Sequence, residues 1–222
     1  GVMEFVYEQS DAAPYLKIMI DENLFPLLKA QVDGKELIIG PKKIKENSRN
    51  GNSYNLQPTK FKVITNSREI KELNVVSSGD FIIASPINIG KLEINMAGSG
   101  NILLEKKVEG NKLEINLASS GSVVASNIDL AGIECSLAGS GYIQIAGKAD
   151  RAEYNLAASG NIKAYECVTG KTECNIAGSG NIQTHTRNQL EANIVGSGNV
   201  YYKGNPTTSK SIIGSGKLKS VN

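Results

Sequence analysis

The stretch NMAGSGNI, residues 95–102, returns as NLASSGSV from 116, SLAGSGYI from 136, NLAASGNI from 155, NIAGSGNI from 175 and NIVGSGNV from 193. None of its residues is an obvious acid, base, nucleophile or metal ligand, so the repetition points to architecture before chemistry. Aligning on the second glycine gives anchors at Gly79, Gly100, Gly121, Gly141, Gly160, Gly180, Gly198 and Gly216, separated by 18–21 residues. A fixed period in that range is the mark of a solenoid.

The residues around each anchor alternate strictly. Two positions after it stand Phe81, Ile102, Val123, Ile143, Ile162, Ile182, Val200 and Leu218, and four before it Val75, Met96, Leu117, Leu137, Leu156, Ile176, Ile194 and Ile212. The fifth position before it is asparagine or serine. The seventh is Glu72, Glu93, Glu114, Glu134, Glu153, Glu173, Glu191 and finally Ser209. Alternation with a period of two describes half-buried strands. About 20 residues at roughly 3.3 Å each are too few for a helix and two strands but suit one turn of a β-solenoid. The expected fold is therefore all-β, a parallel β-helix of about eight coils. Each coil turns at an Ala-Gly-Ser-Gly corner, where glycine permits positive φ and small side chains let successive corners stack. Equivalent residues should lie about 4.8 Å apart, with aliphatic rows inside and the asparagine row hydrogen-bonded along the stack.

Composition narrows function by exclusion. With 24 basic and 22 acidic residues among 222, net charge gives no argument for a nucleic-acid or anionic-membrane partner. No apolar run approaches the roughly 20 residues of a membrane-spanning helix. No n-region, h-region and cleavage site of a signal peptide opens the sequence at Gly1. The cysteines Cys135, Cys167 and Cys174 form neither a disulfide framework nor a zinc pattern. Cys135 and Cys174 occupy inward positions two coils apart with Tyr154 between them. That separation, near 10 Å, forbids a bridge. His185 is the single histidine, which rules out a multi-histidine metal site. No cofactor is implied.

The seven glutamates are the one candidate recognition row. Carboxylates so aligned could hold a hard cation or raise one another's pKa. Against this, Lys91, Lys112, Arg151 and Lys171 stand two residues earlier on the same outward face and offset the row. A polysaccharide-cleaving site needs two carboxylates, or a carboxylate and a base, in one groove. Here the acids repeat uniformly and nothing breaks the pattern. Tyr142, Tyr165, Tyr201 and Tyr202 are candidate platforms for a sugar but are equally ordinary strand residues. The glycine-rich corner lacks the lysine and the helix of a phosphate loop.

The repeat register fails before Ile70, which divides the chain into a β-rich capping region, 1–69, and the solenoid, 70–222. VMEFVYE, YLKIMI, KELIIG and KFKVIT read as strands, DENLFPLL as at most one helical turn, and KENSRNGNS, residues 45–53, as a loop. Ile82, Leu103 and Val124 make an outward apolar strip on the first coils, so residues 1–65 are expected to pack over it or next to it. At the other end Lys210 takes an inward slot and the last coil abandons the pattern, which makes that end a candidate contact for homo-oligomers.

The repeated GSGN segments, together with the lead-in LKIMIDENLFPLLKAQVDGKELIIG at residues 16–40, resemble the head GIN domain family, described as autotransporter adhesins of unknown function. The likeness runs from about Val2 to Leu218. It implies a right-handed β-helix exported to the envelope of a Gram-negative bacterium of the Bacteroidetes type: periplasm, outer membrane or cell surface. No catalytic motif comes with it. The expected function is that of a non-catalytic, adhesin-like surface protein presenting its laddered faces to a polymer, glycan or protein. The alternative is a carbohydrate-binding or polysaccharide-cleaving β-helix.

Overall fold

A computed structural model describes residues 2–43 and 56–221; the expected loop at 45–53 lies outside them. From Glu72 onward the chain winds as a stack of parallel coils, closing about seven turns. Every coil supplies one rung to each of three faces. Face A begins at Glu72–Val75 and face B at the Asp80–Ile83 rung, and the strands Ile87–Met96 and Val108–Leu117 each begin on face C before bending into face A. Later strands, such as Ser122–Leu137 and Asn181–Gly196, run continuously through two corners, and the register shifts where they change face, between Ala125 and Ile128 in the first and between Thr184 and His185, against Ala164 and Val168, in the second.

The inward rows form one continuous core. Met96, Leu117, Leu137, Leu156, Ile176 and Ile194 are direct register partners from coil to coil, all buried, as are Ile102, Val123, Ile143, Ile162, Ile182 and Val200 on face B. This repeated burial supplies the main driving force, at about 25 cal/mol per Å² of apolar surface. In the fifth and sixth coils Thr169, Thr172, Thr184 and Thr186 replace aliphatic residues. Their hydroxyls bond one another, at 2.6 Å for Thr169 with Thr172 and 2.7 Å for Thr172 with Thr186.

Of the two reasons expected for the corner glycines, close stacking holds at the anchors and positive φ only in some of the corners. Positive φ is found at Gly178, Gly196 and Gly214 but at none of the anchors. At the anchor Gly100 an added Cβ would lie 1.9 Å from the Gly79 carbonyl oxygen, and at Gly141 2.0 Å from that of Gly121. Stacked corners touch backbone to backbone, and only glycine leaves room.

The N-terminal residues continue the same sheet. Val2–Gln9 pairs in parallel with Asp80–Ile83 on one side and with Lys60–Ser67 on the other, and Leu16–Ile20 closes that edge antiparallel. A 3-10 turn at Phe25–Leu27 and the hairpin Leu28–Asp33 with Glu36–Pro41 follow. Leu28, Phe61 and Val63 bury a second small core, with Phe5 and Ile18 packed against it. Phe5 also stacks on Phe81, ring centroids 6.2 Å apart, which joins this core to the solenoid. These strands lie beside the strip of Ile82, Leu103 and Val124 and not over it. Val6 pairs with Ile82, and Ile64 with Val6, so the strip lengthens to five half-buried aliphatic residues.

Candidate functional site

Glu72, Glu93, Glu114, Glu134, Glu153, Glu173 and Glu191 are register partners on the outer side of face A, and Ser209 ends the row. The strand period points these side chains outward, and the asparagine two positions on holds most of them. Asn95 donates one amide hydrogen to Glu93 Oε1 at 3.1 Å and the other to Asn74 Oδ1 at 3.1 Å. Asn175 does the same toward Glu173, at 3.0 Å, and Asn155, at 2.9 Å. Both donors of each amide are thereby used, and the row is cross-linked along the axis and within each strand. Ser136 interrupts it.

Cations treat the two halves of the row differently. Lys91 Nζ lies 3.0 Å from Glu93 and 3.0 Å from Glu114, bridging two coils. Lys112 sits 2.8 Å from Glu134 and 3.6 Å from Glu114. The Asn95 amide, then the Lys91 ammonium, hold the Glu93 carboxyl below the usual range; for Glu114 the Lys91 hydrogen bond is the main cause. Carboxylates so held stay ionised and are poorly suited to donate a proton. Beyond Lys112 the pattern changes. Gly132 takes the lysine position, and Arg151, Lys171, Glu153, Glu173 and Glu191 make no ion pair among the described residues. A shallow groove of about 460 Å³ runs along this half, from Lys112 past Gly132 and Arg151 to Gln189 and Glu191. Gly132, without a side chain, opens it over Ile133.

The other residues singled out in the sequence do not join this groove. His185 lies half-buried on the outer side of face C, paired with Val168 and Lys203. Cys135, Tyr154 and Cys174 are successive register partners in the core, and Cys167 is buried too. Burial pushes the Cys167 thiol up to about 12 and the Cys135 and Cys174 thiols up as well. The tyrosine platforms carry lysines: Lys163 lies 4.5 Å from the Tyr142 ring centroid, Lys203 4.9 Å from Tyr165 and Lys219 5.8 Å from Tyr201. Among the described residues no group of three or more His, Cys, Asp or Glu is placed to hold a metal ion, and no helix is long and apolar enough to cross a membrane. Sequence reasoning missed Val6 and Ile64 as members of the apolar strip. The alternation in VMEFVYE carried the signal, with Met3, Phe5 and Tyr7 on one side and Glu4, Val6 and Glu8 on the other.

These features define a parallel β-solenoid whose outer faces are ladders of repeated polar side chains, with one groove of mixed charge. The chain belongs to the family described as "Putative auto-transporter adhesin, head GIN domain", whose model matches residues 1–109 and 98–206. A crystal structure from Parabacteroides distasonis described as a "Putative lipid binding protein" is 53% identical, with a TM-score of 0.97 over 100% of this chain and 90% of that one. A "putative adhesin" from Parabacteroides merdae is 34% identical, with a TM-score of 0.87 over 100% of this chain and 89% of that one. A "putative adhesin" from Parabacteroides distasonis is 32% identical, with a TM-score of 0.91 over 100% and 90%. Comparison with curated proteins finds no match.

Proposed function

We propose that this chain is a non-catalytic, adhesin-like protein exported to the cell envelope, and that it binds a surface polymer, glycan or protein along the groove of face A. The observation supporting this is the unequal treatment of the glutamate row. Glu93, Glu114 and Glu134 are paired with Lys91 and Lys112, whereas Arg151, Lys171, Glu153, Glu173 and Glu191 lie beside an open groove with no ionic partner among the described residues. Parallel acids one strand apart, held by amides, suit recognition of repeating units better than bond cleavage, which needs two convergent groups. A glycan and extracellular-matrix array is the test. The wild type should bind a subset of ligands, and Arg151→Gln with Glu173→Gln should lower that binding about tenfold while Lys91→Gln leaves it unchanged. Equal binding by all three proteins would remove the groove from recognition.

A second reading has its own observation. The 53% identical relative carries a lipid-binding description, and the strip Ile64, Val6, Ile82, Leu103 and Val124 is an aliphatic row on the outside of face B. Flotation with neutral phosphatidylcholine vesicles tests it. Co-flotation lost in Leu103→Lys would support lipid contact through this strip, and a protein left at the bottom of the gradient would count against it.

A further inference from the structure

The two ends of the solenoid are finished differently. At the N-terminal end Leu16–Ile20, the Phe25–Leu27 turn and the Leu28–Asp33 hairpin close over Phe61 and Val63. At the other end Thr207–Gly214 pairs only with Asn181–Gly196, and Lys217–Ser220 only with Asn199–Lys203. Their outer edges keep free N–H and C=O groups among the described residues, which is a template for another strand. Among the described residues nothing packs on the last rung of the core rows. Ile212 and Leu218 are only half-buried, and Ile213 is 68% exposed beside Val195 at 55%.

Charge selects what fits this edge. After Glu191 the sequence contains no Asp or Glu but has Lys203, Lys210, Lys217 and Lys219. Lys210 occupies the inward row above Ala192, where every earlier coil carries an uncharged residue. Neither Lys210 nor Lys217 has an ionic partner among the described residues. We infer that the final coil is a strand-docking site for an extended acidic segment of a partner protein, which adds one more rung to face A. In register, such a segment places a carboxylate over Lys210 and, two residues away, an aliphatic side chain over Ile212. Main-chain hydrogen bonds supply affinity, and the Lys210 and Ile212 positions supply selectivity. A second copy of this chain fits poorly. End to end, its own Lys210, Lys217 and Lys219 would meet these; head to tail, the outermost face B strand, Leu16–Ile20, brings Lys17 and no acid, and the face A edge strand, Glu72–Val75, sets Leu73 and no carboxylate in the row of Lys210. This inference does not depend on the groove of face A.

The test uses the full chain and three synthetic peptides of strand length: one repeating Glu-Glu-Val-Val, which sets glutamate and valine two residues apart on each face, one repeating Lys-Lys-Val-Val, and the acidic peptide with alternate residues changed to proline. Amide NMR shifts should appear at Thr207–Gly214 with the acidic peptide only. Proline, lacking the N–H, should abolish them. Lys210→Glu with Lys217→Glu should weaken acidic-peptide binding about tenfold and transfer it to the lysine peptide. Melting curves should confirm that the double variant folds. The proposal is overturned by equal binding of the proline peptide, by shifts elsewhere on the molecule, by no binding of the acidic peptide, or by charge-reversal effects on self-association in sedimentation instead of on peptide affinity. Binding of anionic vesicles or nucleic acid at this edge without the acidic peptide would also overturn it.

Discussion

The Asn116 side-chain amide donates to Asn95 Oδ1 at 2.9 Å, across 21 positions of sequence and one coil of structure. A residue satisfied by its own equivalent one turn away makes the register specify itself. A slip of a single position would set amides against leucines and turn the core rows outward.

The amide ladder should therefore be sensitive to one atom. Asn175 donates to Asn155 and Glu173 and accepts from Asn193 at 3.0 Å. Asn175→Asp keeps the shape but replaces two donors with acceptors and adds charge beside Glu173. The expected loss is about 1–3 kcal/mol at neutral pH, from two hydrogen bonds at about 0.5–1.5 kcal/mol each. Asn175→Ser, which copies the natural Ser136, should lose less. Urea unfolding of the three proteins measures the difference, and an equal midpoint for all of them would show that the ladder adds nothing to stability.

The bridging lysines give the fold a two-sided pH dependence. Glu93 and Glu114 titrate below their ordinary range, so their contribution is complete above the unfolded value, about 4.3, and disappears as pH falls through the lower folded values. Lys91 is raised by hydrogen bonds to Glu114 and Glu93, so its contribution is complete below about 10.4 and fades as pH rises through the higher folded value. Melting temperature should be level from about pH 5 to 8 and decline on both sides, the alkaline decline starting as the thiols of Cys135, Cys167 and Cys174, protonated by burial in the folded protein, ionise in the unfolded chain at about 8.5. In Lys91→Met the alkaline decline should shrink. The acid decline should shrink mainly through Glu114, because Asn95 still holds Glu93. Both effects should weaken in high salt, since these groups are exposed.

Glycine at the corners should be irreplaceable, whereas glycine at the groove should not. A Cβ at Gly141 would lie 2.0 Å from the Gly121 carbonyl oxygen, but at Gly132 it meets nothing within 4 Å. Gly141→Ala should lower stability by about 3 kcal/mol, the upper part of the range for overpacking. Gly132→Ala should be neutral within about 0.5 kcal/mol. Differential scanning fluorimetry separates the two outcomes.

Repetition decided what could be seen in the sequence. Rows such as Met96–Leu117–Leu137 and Glu93–Glu114–Glu134 were legible because each position is sampled in every coil, so an outlier cannot hide the pattern. Val6 and Ile64 had no such support. Each belongs to one unrepeated strand, and their place beside Ile82 depends on a pairing across more than 70 residues for Val6. The threonine cluster was hidden because Thr169 and Thr186 sit where coil lengths vary, and a hydroxyl reads as outward until a partner is found for it. The groove was invisible for a different reason. It arises from Gly132, a residue that fits the repeat yet removes the lysine that would otherwise fill the space.

Tyr154 gives the sharpest test of the core. It is fully buried between Cys135 and Cys174 in the stack, and among the described residues its hydroxyl has no partner better than the weak thiol of Cys167 beside it; burial, then the neighbouring thiols, keep it protonated. An unmet buried hydroxyl costs about 1–3 kcal/mol, so Tyr154→Phe should stabilise the protein by about 1 kcal/mol after allowance for the small void it leaves. For a chain of this size that corresponds to a rise of about 2–4 °C in melting temperature. The same burial predicts that a thiol reagent at pH 8 labels none of Cys135, Cys167 and Cys174 in the folded protein and all three in denaturant. A stability loss in Tyr154→Phe would mean that the hydroxyl is satisfied by a buried water, and early labelling of Cys167 would mean that the coils part there first.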